Sequence, residues 1–404
     1  MAASENKLII AILIGAVAGI ISGCLYGSKM VAVAWIGDLF LDALKMMIVP
    51  LIIAAVISGV TSLGDIRKLG KVGGMTLLYY AATTAIAVLI GLFVVNLIQP
   101  GVGVGQATSE LTEQITNKSD TGFVEIIRSL ISPNVISAAA NMQLLPLIVF
   151  SLLFAAALTT IGDKNVTIIK FFDGLNEVMM KLVIWVMVFA PVGIFALIAG
   201  KIGSAGGAQA IQQELLAVGS YCFTVILGLS IHFIVLFTIL IVFSKKGRDY
   251  LFKLLRALIT AFGTASSSAT LPLTMECALE AGVDKRSIKF VLPIGATINM
   301  DGTALYESVA VMFIAQAYGI SMGLGEQAII FVTATLAAIG AAGIPQAGLV
   351  TMLIVLEAVN LPAEGIGLIL AVDWFLDRFR TTVNVWGDSV GAAVIESYLP
   401  KENT

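Results

Sequence analysis

The sequence predicts an all-α polytopic membrane protein with eight transmembrane helices and two re-entrant helical hairpins. Three observations carry this. Of 404 residues, 58% are hydrophobic and 12% charged, roughly half the charged share of an ordinary soluble domain. Apolar runs long enough to cross a bilayer recur at 8–23, 32–60, 75–98, 144–161, 183–198 and 221–243, with further ones after 284. The basic residues also alternate from loop to loop, as they do where a chain is threaded back and forth across a membrane.

The first run follows Lys7 and reads as an uncleaved helix rather than a secretion signal, because it is long for such a segment and Glu5 interrupts the basic flank. One set of loops holds Lys7, Arg67, Lys68, Lys71, Lys164, Lys170, Lys245, Lys246, Arg248, Lys253, Arg256, Lys285, Arg286, Lys289 and Lys401, fifteen of the 23 basic residues. The opposite set keeps Lys29, Lys118, Arg128 and Lys201. That bias places both termini in the cytoplasm and requires an even number of crossings. Two segments break the alternation. ALITAFGTASSSATLPLTMECALEAG (257–282) has basic flanks on both sides, and AIIFVTATLAAIGAAGIPQAGLVTMLIVLEAV (328–359) has none on either. Each therefore enters and leaves on one face, the first from inside and the second from outside. Irregular backbone at membrane depth survives only where protein or a water-filled cavity satisfies it.

Each hairpin is followed by a helix of related signature, ATINMDG (296–302) and TTVNVWGD (381–388), and the tips SSSATLP and GAAGIPQ match in character. This is an inverted repeat, an arrangement in which secondary transporters place their ligands near the bilayer midplane. In the last helix Asp373, Asp377, Arg380, Asn384 and Asp388 fall within about 80° of one another at 100° per residue. Such a stripe must face a polar interior, and three carboxylates against one central arginine leave negative charge for bound cations. In INMDGTALYE (298–307), Asp301 sits at an expected helix break, loosened by Gly302, among oxygen donors suited to a hard cation. Glu307 has no such cluster in sequence and reads as a proton carrier.

Other classes fit poorly. A net charge of −3 and a pI near 5.3 argue against a nucleic-acid partner. Cys24, Cys222 and Cys277 show neither metal spacing nor an obvious disulfide pairing. His232, in LSIHFIVLF, reads as a packing histidine because no acidic residue accompanies it. An intramembrane protease would need Ser266–Ser268 with His232, or Asp301 with Asp388, but the chain has no GxSxG motif. A channel would share the hairpins but not saturable, ion-driven uptake. The chain is not expected to be an enzyme.

Five motifs, ASSSATLP, NMDGTALYE, AAGIPQAG, DRFRTTVNVWGDS and YYAATT (79–84), resemble those of the glutamate transporter family, the sodium-coupled dicarboxylate and amino acid symporters. The resemblance covers nearly the whole chain and implies a homotrimer in the cell membrane. Each protomer would have a scaffold (1–73 and 122–205; spans one, two, four and five) and an elevator-like transport domain (74–100 and 206–398). It implies an acidic amino acid substrate, L-glutamate or L-aspartate, held by Asp377 at its amino group and Arg380 at its side-chain carboxylate. Ser267, Thr303, Thr381, Asn384, Ile344 and Gly348 would complete the pocket. One sodium ion would sit at Asp388 with carbonyls of Gly295, Asn299 and Asn384. A second would use Thr297, Met300 and carbonyls of Ala338, Ile339 and Ala341. A third would use Tyr80, Thr83, Thr84, Asn299 and Asp301. Glu307 would carry a coupled proton (H+), a position linked in animal members to potassium (K+) countertransport as well. Arg378 on the last helix, with Ala265 before the hairpin serines, is the animal-like arrangement in a chain of prokaryotic length. A dicarboxylate or neutral amino acid symporter of the same fold is the alternative; Arg380 and the NMDG and GD pairs favour sodium and acidic substrates.

Overall fold

The computed structural model describes residues 2–62, 70–103, 128, 130–161, 166–204, 208–340 and 347–399, and among these there is no strand. Helix α1 (Ala2–Tyr26) runs through a 3-10 turn, Gly27–Val33, into α2 (Ala34–Thr61). The apolar stretch Ile10–Thr61 spans 52 residues. At 1.5 Å per residue that is about 78 Å, room for two crossings of a core about 30 Å thick. Helix α3 (Gly70–Ile98) follows, then a short α4 (Val135–Ala140) and α5 (Leu144–Thr159). Helices α6 (Val166–Met187) and α7 (Ala190–Ser204) form one apolar rod bent by 54°. Helix α8 (Ala208–Ile239) ends in a π-turn, Leu240–Ser244.

Helices α1, α2, α5, α6 and α7 pack chiefly on one another. The reason is legible at Gly15, Gly19 and Gly23, which recur every fourth residue on α1. A Cβ at Gly19 would lie 2.8 Å from the Phe195 carbonyl, and one at Gly23 would lie 2.8 Å from Ile202 Cβ. Small residues at this spacing let two helix backbones touch, which replaces the missing hydrophobic driving force between helices in lipid.

Short α4 packs on α5, and the other helices form a second packing group around α12. Helix α9 (Arg248–Thr264) turns at Ala265, in the left-handed region at φ 49°, into α10 (Ser267–Glu280), whose N-cap Ser266 accepts from Ala269 N at 3.1 Å. The two arms run antiparallel: Lys253 Nζ donates to the Glu280 carbonyl at 3.0 Å at one end, and Thr264 and Thr270 hydroxyls meet at 3.1 Å at the other. Helix α11 (Lys285–Ile298) breaks at Asn299 and Met300, and α12 (Asp301–Ala317) restarts at once. Pro293 removes one backbone donor shortly before the break. The break falls one residue earlier than the sequence reading placed it. Gly302 lies in the first turn of α12, where its role is close approach: a Cβ would sit 2.5 Å from the Arg380 carbonyl oxygen. Helix α12 is buried on all sides, as a central helix must be.

Helices α13 (Leu324–Gly340) and α14 (Ala347–Ala358) pack on each other, on α12 and on α2. Of the predicted tip GAAGIPQ between them, residues 341–346 lie outside the described residues. The chain closes with α15 (Leu370–Glu396), which packs on α8, α9, α11 and α12. By length and composition, three stretches qualify as spans, or four with the bent α6–α7 pair. Helix α12, at 17 residues, and α15, which carries Asp373, Asp377, Arg378, Arg380 and Asp388, do not.

Candidate functional site

The stripe predicted on α15 is real: Asp373, Asp377, Arg380, Asn384 and Asp388 are all buried. It faces α12 and the break before it, and the two elements exchange hydrogen bonds. Asn384 accepts from Gly302 N at 2.7 Å and donates to Thr303 Oγ1 at 3.3 Å. Its amide also points at Met300 Sδ, 3.3 Å away.

At one end of the stripe stands Arg380, with a fully buried side chain. Its Nη1 pairs with Asp373 Oδ1 at 3.0 Å and its Nη2 with Asp377 Oδ1 at 2.8 Å. The Tyr306 ring lies 3.9 Å from the guanidinium carbon, close enough for a cation–π contact strengthened by exclusion of water. Gly348 on α14 comes so near that a Cβ would be 2.8 Å from Nη1 and 3.3 Å from Thr303 Cγ2. Arg380, Asp377, Thr303, Gly348 and Asn384 therefore converge on one spot. Thr381 and Ser267 are buried as well, Ser267 in the first turn of α10. Ile344 lies outside the described residues.

At the other end sit Asp301 and Asp388. Thr84 Oγ1 donates to Asp301 Oδ1 at 2.7 Å, with Thr83 Oγ1 at 3.3 Å, and both hydroxyls lie 3.5 Å from Asn299 Oδ1. Asn299 Nδ2 bridges to Asp388 Oδ1 at 3.0 Å. Tyr80 bonds to the Val291 carbonyl at 2.7 Å, and Tyr79 to that of Gly387 at 3.0 Å. Gly295 must lack a side chain, since a Cβ would collide with Asp388 and lie 2.7 Å from the Tyr80 hydroxyl. Carboxylate, amide, hydroxyl and carbonyl oxygens around two buried acids suit a hard monovalent or divalent cation. Among the described residues no three His, Cys, Asp or Glu side chains group as a transition metal would require.

The second predicted ion set is only partly assembled. Helices α11 and α13 touch and Ala338 is buried, but Thr297 is exposed and its hydroxyl is spent on the Ile294 carbonyl at 2.9 Å. Met300 faces Asn384, Ile339 is half-buried, and Ala341 lies outside the described residues. Glu307 is fully buried, faced by the Thr351 hydroxyl and the Arg380 guanidinium. Arg378 turns away from the stripe. Its Nη1 donates to the carbonyls of Phe262 and Gly263, both at 3.0 Å, at the C-terminal end of α9.

One sequence reading is overturned. His232 does have an acidic neighbour: its Nε2 lies 3.1 Å from Asp301 Oδ2, with both side chains fully buried. The sequence test looked for an acid nearby on the chain, and Asp301 is 69 positions away. The usable signal was the histidine itself, an ionisable residue in the middle of an apolar span. Tyr306, stacked on Arg380, was also missed as a site residue.

Comparison with known proteins gives the family. The sodium:dicarboxylate symporter family profile matches residues 8–398. An excitatory amino acid transporter of Caenorhabditis elegans is 40% identical, over 90% of this chain and 80% of its own length. Excitatory amino acid transporter 3 of Homo sapiens is 40% identical over 91% and 80%, and excitatory amino acid transporter 1 of Ambystoma tigrinum 39% over 89% and 76%. By the match of nearly its entire length and by these identities, the chain belongs to the sodium:dicarboxylate symporter family.

Proposed function

We propose that this protein is a multi-pass membrane symporter that couples sodium entry to uptake of acidic amino acids, L-glutamate or L-aspartate. The observation that carries the reading is Arg380, a buried guanidinium with Asp377 at its side. A planar fork matches a carboxylate through two parallel bonds, and the adjacent carboxylate suits an ammonium group. A dicarboxylate without an amino group would leave Asp377 unanswered, which favours an amino acid. Excitatory amino acid transporters at about 40% identity support the same choice.

In this reading the substrate side-chain carboxylate takes over Arg380 from Asp373 and Asp377. Thr303, Thr381, Asn384 and Ser267 complete the pocket, and the hairpin tip with Ile344 and Gly348 covers it. Sodium ions bind at Asp388 and at Asp301 with Thr83, Thr84, Asn299 and Tyr80, and a further ion binds under the hairpin at Thr297, Met300 and Ala338. They neutralise the acids that no arginine reaches. Glu307 carries a proton, and potassium returns in the empty half of the cycle.

The two packing groups of helices support a scaffold (1–73 and 122–205) and a moving unit (74–100 and 206–398) working as an elevator. They support eight crossings, with α9–α10 and α13–α14 as re-entrant hairpins. Family membership supports a homotrimer, and the loop charges support cytoplasmic termini. The test is uptake of radiolabelled L-glutamate and L-aspartate into proteoliposomes under an inward sodium gradient, with internal potassium or choline. Sodium-dependent, saturable uptake is expected, faster with internal potassium. Uptake indifferent to sodium would overturn the reading. Indifference to potassium alone would remove only the countertransport.

A further inference from the structure

His232 and Asp301 make a contact that the proposed ion chemistry does not use. The histidine projects from α8 and is fully buried, and its Nδ1 has no hydrogen-bond partner among the described residues. Its Nε2 is 3.1 Å from Asp301 Oδ2. The other oxygen of the same carboxylate, Oδ1, takes both threonine hydroxyls, Thr84 at 2.7 Å and Thr83 at 3.3 Å. The two oxygens thus face different worlds, one an imidazole and the other a set of oxygen donors that includes Asn299 Oδ1. With the proton on Nε2, assigned here from the contact, the ring donates to Oδ2, and the bare Nδ1 costs less to bury than an N–H would.

Two further observations fix the arrangement. A Cβ at Gly387 would lie 3.1 Å from Asp301 Oδ2 and 3.2 Å from Asn299 Nδ2, so α15 closes the space beside this oxygen. The next residue on α8, Phe233, stacks on Trp386 with ring centroids 5.1 Å apart, and its carbonyl accepts from Trp386 Nε1 at 3.3 Å. The imidazole is therefore held in register with α15, which also bears Asp388. An imidazole clamped in this way cannot follow the carboxylate if it turns.

We infer that His232 is a positioning residue for the cation site at Asp301. By holding Oδ2 it presents Oδ1 alone to the ion and sets the direction from which Thr83, Thr84 and Asn299 must converge. The inference rests on the proposed assignment of sodium to Asp301. Partners of this kind outside the ligand shell affect metal affinity by about 10–100-fold when removed.

The experiment needs no transport. Full-length protein in lipid nanodiscs is heated at rising sodium chloride, with choline chloride holding ionic strength constant, and the sodium midpoint is taken as the Kd fitted to the rise in melting temperature. An ion that binds only the folded state stabilises it by RT ln(1 + [Na+]/Kd), so the melting temperature starts to climb with the logarithm of sodium once sodium passes Kd. His232→Leu should raise that midpoint about tenfold or more. His232→Gln, whose amide nitrogen reaches where Nε2 stands, should stay within about threefold of wild type. His232→Asn, one carbon shorter, should behave like leucine, and it decides the matter with glutamine if the leucine variant does not fold. Asp301→Asn gives the shift produced by loss of the site. Equal midpoints for wild type, His232→Gln and His232→Asn, with Asp301→Asn shifted, would overturn the role of His232 alone. An unshifted Asp301→Asn would overturn the sodium assignment and this inference with it.

Discussion

Around Arg380, two carboxylates meet a guanidinium at 3.0 and 2.8 Å; around Asp301, a carboxylate meets two threonine hydroxyls and a histidine, and the hydroxyls also reach an asparagine. Both clusters are buried and both sit between α12 and α15, yet they are neutralised differently. The arginine side carries its counter-charge on the chain, so it is closed electrostatically, and in the proposed reading it opens to a ligand that replaces Asp373 and Asp377. At the Asp301 side no lysine or arginine touches Asp301 or Asp388 among the described residues. That side is short of positive charge until an ion arrives. A buried acid costs several kcal/mol after relaxation. The comparison teaches that one helix pair can offer an anion site and a cation site by a difference in what the chain leaves out.

The strongest way to break this comparison is to remove the fixed cation. Arg380→Ala strands Asp373 and Asp377 in the interior, a change that costs about 3–5 kcal/mol where one partner of a buried pair is deleted. Uptake of glutamate and aspartate should be abolished, and neutral amino acids should become substrates. Arg380→Lys should not restore acidic uptake, since an ammonium supplies neither the planar fork nor the stacking on Tyr306. Uptake kinetics with both substrate classes decide this; unchanged glutamate affinity in either variant would refute it.

Two glycines separate the clusters. A Cβ at Gly348 would lie 2.8 Å from Arg380 Nη1. Gly348→Ala should therefore weaken substrate binding about tenfold and leave the sodium midpoint alone, because overpacking costs about 1–3 kcal/mol. Gly387→Ala crowds Asp301 Oδ2 and Asn299 Nδ2 and should do the reverse, raising the sodium midpoint by a similar factor. Substrate and sodium titrations on both variants make a two-by-two test. If both lose both ligands equally, the two clusters are one site.

Glu307 lies beside the arginine cluster without pairing in it, and its test is milder. Glu307→Gln keeps the volume and removes the titrating group. Uptake should continue, with its dependence on external pH flattened between about pH 6 and 8, the range in which a proton-coupled carboxyl would matter. A pH dependence that persists unchanged moves the coupled proton elsewhere.

How much of this was legible beforehand depended on whether a feature was local to the chain. The stripe on α15 and the break before Asp301 follow from helical period and from the cost of burying charge, so residues within one turn or one motif reveal them. The two proposed hairpins rest on a similar local reason: loop charge gives parity, and parity needs no three-dimensional information. The His232–Asp301 contact was not legible, because nothing in LSIHFIVLF specifies which helix its face meets. Nor was the role of Gly302, which concerns the backbone of Arg380, 78 positions away by subtraction of their numbers. The proposed ion set at Thr297 and Ala338 needs α11 and α13 to meet, and sequence spacing is silent on such meetings.

The smallest expected effect lies outside both clusters and tests whether the others are specific. Asp284 caps α11 by accepting from Arg286 N at 2.7 Å, and its carboxylate also takes the Arg286 guanidinium at 2.7 Å. Those hydrogen bonds from Arg286 hold the Asp284 carboxyl below its usual range. A lowered folded-state value means that the cap's contribution is full above the ordinary carboxylate range and is lost progressively as pH falls from there through the lowered value. The pair is largely exposed, so screening by solvent discounts the charge and leaves mainly the cap. Asp284→Ala should cost about 1 kcal/mol of stability at neutral pH and less in acid, with substrate and sodium midpoints unmoved. Melting curves at pH 7 and pH 3 check the first part and the titrations check the second. If the sodium midpoint moved with this substitution, the shifts at Gly387 and His232 would report general loosening of the moving unit and not the geometry of the ion site.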